Sequence, residues 1–166
     1  MMTNIYSKTQ FWSLLLLRLA VGWHFLYEGI VKFMNPKWTS YAYLMDAKGF
    51  MAGVFHEIAA RPALLEVADV LNMTGLTLVG LALITGCLVN WAAIGGIIML
   101  VFYFLSHIPF VDAAYLLPAE GSYLWVDKNI IEIFTLLVIL YFPTSRIVGI
   151  DRWVYRNSKH NLQEVG

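Results

Sequence analysis

The sequence predicts an all-α integral membrane protein, built as a bundle of four spanning helices. Hydrophobic residues make up 60% of the 166 residues, and the mean hydropathy is +0.68. Charged residues make up 13%, against about 25% in an ordinary soluble domain. Four separate runs are apolar and long enough to cross a bilayer, which takes about 20 residues. The length leaves no room for a sizeable soluble domain beside them.

The first predicted span covers residues 11–33. Lys8 and the small residues 20–22 are typical of a signal peptide and its cleavage site, but Arg18 interrupts the run, which continues well beyond it. We therefore expect a span that is retained. The next stretch, residues 35–62, is too polar to cross, and its apolar clusters favour short amphipathic helices on the extracytoplasmic surface.

Three further spans complete the predicted bundle. We place them at residues 67–89, 91–107 and 123–142, and Pro109 and Pro143 stop the last two. Because almost nothing separates the second span from the third, these two helices form a tight hairpin.

Four spans place both termini on one side of the membrane. That side carries the cations Lys8, Arg146, Arg152, Arg156 and Lys159, and the other carries Lys37, Lys48, Arg61 and Lys128. The positive-inside rule thus favours cytoplasmic termini by a small margin. We expect a multi-pass protein of the bacterial inner membrane, surrounded by membrane lipids. Its net charge of zero favours no nucleic-acid partner.

The first span holds four ionisable side chains, namely Arg18, His24, Glu28 and Lys32. A charge in hydrocarbon costs about 2.5–3.5 kcal/mol on insertion scales, so such residues usually face a bundle interior, a partner or a substrate. His24, Glu28 and Lys32 are each four residues apart and therefore lie on one helix face. Gly22 and Gly29 flank that face and predict the close approach of a neighbouring helix.

Polar residues of the other spans converge on the same extracytoplasmic half. A few polar groups in an apolar pocket are the usual form of a small-molecule site. A histidine with carboxylates at membrane depth suits proton exchange with a quinone. We therefore predict a quinone site with His24 and Glu28 as its catalytic residues. The predicted cofactor-binding residues are Arg18, Lys32, Asp69, Asn72, His107, Asn129 and Glu132.

Each of these residues also has a purely structural interpretation. Arg18 and Lys32 are long enough to extend to the headgroups, and Glu28 then serves only as the ion-pair partner of Lys32. His24 fits a hydrogen-bonded structural residue as well as a proton carrier. The remaining candidates fit the roles of helix caps or membrane-interface residues equally well. They are Asp69, Asn72, His107, Asn129 and Glu132.

Neither haem nor a metal ion is expected. His24 and His107 form the one histidine pair within the spans, and their different depths disfavour haem ligation. The adjacent residues His56 and Glu57 lack the ligand spacing that is typical of a zinc site. The single cysteine, Cys87, excludes a two-cysteine relay within the chain.

Several short motifs are shared with a known family. The first span contains Arg18-Leu19-Ala20-Val21-Gly22 and then Gly29-Ile30-Val31-Lys32, and a proline follows at Pro36. A glycine-containing run at residues 75–86 and the tripeptide Gly149-Ile150-Asp151 fit the same pattern. In these motifs the chain resembles the DoxX/DoxD-like membrane proteins over about residues 12–153.

The resemblance implies a four-helix membrane bundle. Some members are known as a subunit of thiosulfate:quinone oxidoreductase, and others are associated with membrane redox or thiol homeostasis. We therefore expect a small quinone-linked redox subunit that receives electrons from a sulfur compound or from a partner protein. Relatives often carry a glutamate early in the second span, where this chain has Asn72. The alternatives are a non-enzymatic scaffold that binds a protein partner or a second copy, and a transporter of small solutes or lipids.

Overall fold

The computed structural model describes residues 6–109, 115–116 and 125–153, and every regular element in those ranges is helical. In chain order the helices are α1 (Lys8–Met34), α2 (Tyr41–Met45), α3 (Ala52–Ala60), α4 (Pro62–Thr85), α5 (Val89–Ser106) and α6 (Lys128–Tyr141). A short 3-10 helix, Thr144–Arg146, follows α6. Helices α1, α4 and α5, and α6 together with the 3-10 helix, are long and apolar enough to cross a membrane. The predicted all-α membrane bundle of four spans is therefore confirmed.

Local chemistry explains where the helices begin and end. At the start of α1, the Ser7 hydroxyl accepts from the Gln10 N–H, and the Gln10 side chain accepts from the Ser7 N–H. Helix α4 ends at Gly86, whose φ of 69° is readily adopted by glycine. Helix α6 begins after Asp127, whose carboxylate accepts from the Ile130 N–H at 3.0 Å.

The fourth span begins later than predicted. Of the expected helix from residue 123, residues 125–127 are not helical, because Asp127 is the N-cap of α6. Residues 123–124 lie outside the described residues, as do the predicted tail cations Arg156 and Lys159. The second span also differs, since α4 occupies Pro62–Thr85 rather than residues 67–89.

The four long helices form a ring. Helix α1 packs along α4, α4 against α5 and α5 against α6, while α1 and α6 meet over a shorter stretch. We call the end where α1 finishes and α4 begins the cap end, because α2 and α3 connect those two helices there. The opposite end, which contains the turn between α4 and α5, is the turn end. Buried apolar side chains fill the ring, among them Phe25, Leu83 and Leu136.

Helices α1 and α4 approach each other closely at glycines. A Cβ atom built on Gly29 would lie 2.3 Å from Thr77 Oγ1, and one on Gly80 would lie 2.3 Å from the backbone nitrogen of Leu26. Neither position has room for a side chain. The close approach predicted for the face that carries Gly29 is therefore confirmed.

Replacing Gly29 by alanine should separate α1 from α4 and destabilise the fold, because its methyl group would overlap the Thr77 backbone. Overpacking of this kind costs about 1–3 kcal/mol. The measurement is the thermal unfolding midpoint in detergent. Gly53→Ala on α3 is the matched control, since no atom lies within 4 Å of its added Cβ. Equal midpoints for the two variants would contradict the packing described here.

Candidate functional site

A histidine and a carboxylate join α1 to α6. His24 Nε2 lies 3.1 Å from Glu132 Oε1, so one nitrogen of the imidazole is engaged. The His24 side chain is 38% exposed and the Glu132 side chain 15%, so the pair lies at an edge of the bundle rather than in its core. Both residues are among the predicted site residues, and the structure brings them into direct contact.

The other two ionisable residues of the same α1 face form a second pair. Lys32 Nζ lies 3.3 Å from Glu28 Oε2 and 5.4 Å from the centre of the Trp38 ring. The Lys32 side chain is mostly covered, whereas the Glu28 side chain is 43% exposed. We call the strip formed by His24, Glu28, Lys32 and Glu132 the α1/α6 seam.

Among the described helices, α1 extends further toward the cap end than α6 does. Beyond the His24–Glu132 contact, α1 continues to Met34, about 15 Å at 1.5 Å per residue. Helix α6 begins at Lys128, only about 6 Å beyond Glu132. Helix α1 therefore projects about 9 Å past the start of α6. Lys32 lies on this projecting part.

A second polar contact joins α4 to α5. The Asn72 amide donates to the Tyr103 hydroxyl at 2.7 Å, and Glu28 lies close enough to Tyr103 for an electrostatic interaction. The Tyr43 hydroxyl of α2 donates to the Tyr103 carbonyl oxygen at 3.3 Å. Asn72 Oδ1 is buried and has no hydrogen-bond partner among the described residues. Sequence reasoning missed Tyr103, because a tyrosine in an apolar run is usually a packing residue.

His107, the C-cap of α5, lies in a cluster of aromatic and polar side chains. It stacks on the rings of Tyr43 and Tyr115, with centroids 4.0 and 4.6 Å away. Its Nδ1 lies 3.0 Å from Ser106 Oγ, and its Nε2 lies 3.8 Å from Asp46 Oδ2. Burial lowers the pKa of His107 below the ordinary value for histidine, although the Asp46 carboxylate acts in the opposite direction.

Contacts of the same cluster hold the residues after α5 against the cap end. The buried Asp46 carboxylate accepts from the Leu116 N–H at 2.8 Å. The Tyr115 hydroxyl donates to the Ile108 carbonyl oxygen at 2.8 Å, and Lys48 Nζ lies 5.1 Å from the Tyr115 ring centre. His107 therefore belongs to the closure of the cap end, and it makes none of the described contacts with the α1/α6 seam.

Two further predicted residues hold helix ends in place. The Asp69 carboxylate accepts from the Ser40 N–H at 2.8 Å and from the Ser40 hydroxyl, which ties the start of α2 to α4. The Asn129 amide donates to Asp127 Oδ2 at 2.6 Å, at the first turn of α6. Within the ranges that the structure describes, no three His, Cys, Asp or Glu side chains form a group able to hold a metal ion.

Arg18 lies apart from the seam, toward the turn end, and is only 1% exposed. Its guanidinium donates to Thr144 Oγ1 at 3.0 Å and to the Val148 carbonyl oxygen at 2.9 Å. Asp151 is close enough to interact with it electrostatically. Arg18 thus holds the segment after α6 against the bundle, and its guanidinium is buried among these contacts.

Comparison with known proteins identifies the family. Residues 13–108, which include most of α1 and all of α2 to α5, match the DoxX family. Because the match covers more than half of the chain, the chain belongs to the DoxX family. No curated protein and no solved structure matches it.

Acidification should weaken the cap end through His107. Its pKa is lowered in the fold, so the unfolded chain binds the proton first as the pH falls. Neutral His107 therefore makes its full contribution to the free energy of unfolding above about pH 6.5, the pKa of an unperturbed histidine. This contribution is lost as the pH falls through the lower pKa of the folded state. Unfolding midpoints at pH 7.5 and 5.5 measure this effect.

The variant His107→Gln provides the comparison for that pH series, because glutamine does not titrate. We expect the midpoint of the wild-type protein to fall more on acidification than that of the variant. An identical pH dependence for the two proteins would rule out His107 as the titrating group.

Proposed function

We propose that this member of the DoxX family is a quinone-linked redox protein whose quinone binds at the α1/α6 seam. A quinone supplies two-electron chemistry with proton uptake at its two oxygens, so its site needs hydrogen-bond donors and a proton route. The observation that carries the proposal is the His24–Glu132 pair, 3.1 Å apart at a partly exposed edge between two spans. A sulfur compound or a partner protein would supply the electrons.

Glu132 orients His24 for this role. With Nε2 directed to Glu132, Nδ1 is the ring nitrogen that remains for a carbonyl oxygen. His24 would exchange a proton with a quinone oxygen at Nδ1, while Glu132 keeps the ring in place.

The seam offers access from the bilayer. Helices α1 and α6 meet over a shorter stretch than any other neighbouring pair in the ring, and the His24 side chain is partly exposed there. An apolar ring dissolved in the bilayer would reach His24 at this edge without separating α1 from α4. Those two helices are in backbone contact at Gly29 and Gly80 and have no room between them.

Glu28 and Lys32 would connect the site to the cap end. Glu28 lies one helical turn beyond His24, and Lys32 pairs with it at 3.3 Å one turn further on. Lys32 lies where α1 projects past the start of α6. These two side chains therefore form a short polar path along which protons would pass between the seam and water.

A membrane scaffold without enzymatic activity is the second candidate. It is favoured by the predicted site residues that bind other parts of the chain, since Asp69 holds Ser40 and Asn129 holds Asp127. In a scaffold, the His24–Glu132 contact would serve only to fasten α6 to α1. Its loss would then lower stability rather than ligand binding.

Mass spectrometry of the quinones that copurify with the detergent-solubilised protein separates the two candidates. We expect about one quinone per chain in the wild-type protein and its loss in His24→Gln, with little change in the unfolding midpoint. Glutamine retains a side-chain donor for Glu132 but does not hold a proton as histidine does. Glu132→Gln should also weaken quinone binding, because a neutral amide orients the His24 ring less firmly than a carboxylate does.

Glu66→Gln is the matched carboxylate control, because Glu66 lies exposed in the first turns of α4. It should retain the quinone. A wild-type protein without quinone, or a His24→Gln protein that keeps it, would refute the quinone site. A lower unfolding midpoint for His24→Gln, with no quinone in either protein, would favour the scaffold.

A further inference from the structure

The turn end carries a positive surface that the proposed quinone site does not use. In the described part of the chain, its exposed charged side chains are the cations Lys8, Arg146 and Arg152. The acid there, Asp151, is 8% exposed, and its two carboxylate oxygens accept from the backbone at the start of α5. Of these cations, Lys8 and Arg152 are the ones on which a ligand-binding role would rest, because Arg146 has a further interaction of its own.

A shallow groove of about 440 Å³ lies at the same end of the bundle. Its lining is mainly apolar and consists of Thr85, Gly149, Ile150 and Trp153. Arg152 is exposed and lies in the chain between Ile150 and Trp153. An apolar groove and a cation thus occur side by side.

The groove is built on backbone contacts that fix its walls. The Ile150 N–H donates to the Thr85 carbonyl oxygen at 3.2 Å, and the Asp151 N–H donates to the Gly86 carbonyl oxygen at 2.8 Å. A Cβ on Gly149 would lie 2.9 Å from the Gly86 Cα, so the two segments are in direct contact. Because these backbone segments are already held in place, a ligand would bind without the entropic cost of ordering them.

Three exposed tryptophans lie near the turn end of the bundle. Trp12, Trp91 and Trp153 are 58%, 73% and 77% exposed, and all three lie near the turn end. Tryptophan is enriched at the level of the lipid headgroups. At that level the groove and Arg152 would lie at the depth of the glycerol backbone and phosphate of a phospholipid.

We propose that the turn end binds an anionic phospholipid, with the upper part of its acyl chains in the groove and its phosphate at Arg152. The apolar lining matches the methylene groups next to the glycerol, and the cations match the net negative charge. A neutral phospholipid offers the same chains without that net charge. The cations therefore predict a preference for anionic lipid, and this inference is independent of the quinone site.

Native mass spectrometry of the full chain, delipidated in detergent, tests the proposal by titration with phosphatidylglycerol and, separately, phosphatidylcholine. The wild-type protein should bind phosphatidylglycerol several-fold more tightly. Arg152→Gln should weaken phosphatidylglycerol binding about fivefold and leave phosphatidylcholine binding unchanged, as expected for one cation near an anionic lipid. Trp153→Ala should weaken both, because it removes one wall of the groove.

Arg61→Gln is the matched control, since Arg61 is an exposed cation at the cap end, paired with Glu57. It should leave both affinities unchanged. Equal affinities of the wild-type protein for the two lipids, or an equal loss in Arg61→Gln and Arg152→Gln, would overturn the proposal. Millimolar inorganic phosphate should not displace phosphatidylglycerol. If it does, the surface binds a free anion and the lipid assignment is wrong.

Discussion

The buried guanidinium of Arg18 fixes how the ends of three helices meet. It lies within α1 but donates to Thr144 and to the Val148 carbonyl oxygen, both beyond the end of α6. It also interacts electrostatically with Asp151, whose carboxylate accepts from the Leu88 N–H at the start of α5. Burying a charge without partners is costly, so these contacts favour the return of the chain after α6 to this position. Among the described residues, Arg18 Nε has no hydrogen-bond partner.

The position of the seam follows from that constraint. Arg18 holds the C-terminal end of α6 against α1, and the His24–Glu132 contact joins the same two helices nearer the start of α6. On the other side of α1, glycines bring α4 into backbone contact. Stability is therefore concentrated along α1/α4 and at the turn end. The less closely packed α1/α6 edge, with its partly exposed polar side chains, is where we propose that a quinone binds.

Hydropathy alone predicted the fold, because crossing a bilayer requires long apolar helices whatever their neighbours. The partners of the charged and polar side chains were predicted less well, because these contacts join residues that are far apart in the sequence. The acid near Arg18, Asp151, lies outside every predicted span, so the polar residues within the spans gave no indication of it. Tyr43 and Tyr103 were missed because tyrosines in apolar segments give no distinctive pattern. Asp127 did carry a recognisable N-cap signal, which would have placed the start of α6 correctly.

The free energy of unfolding of Arg18→Met, measured beside Lys8→Met in the same detergent, tests most directly whether the bundle depends on this contact. Both variants remove one cation from α1, but Lys8 is exposed and Arg18 is buried. We expect Arg18→Met to lose about 3–5 kcal/mol, because Asp151 and the Val148 carbonyl oxygen lose their buried partner. Lys8→Met should change stability by less than about 0.5 kcal/mol. Similar stabilities for the two variants would show that the bundle is held together without Arg18 and would contradict this account.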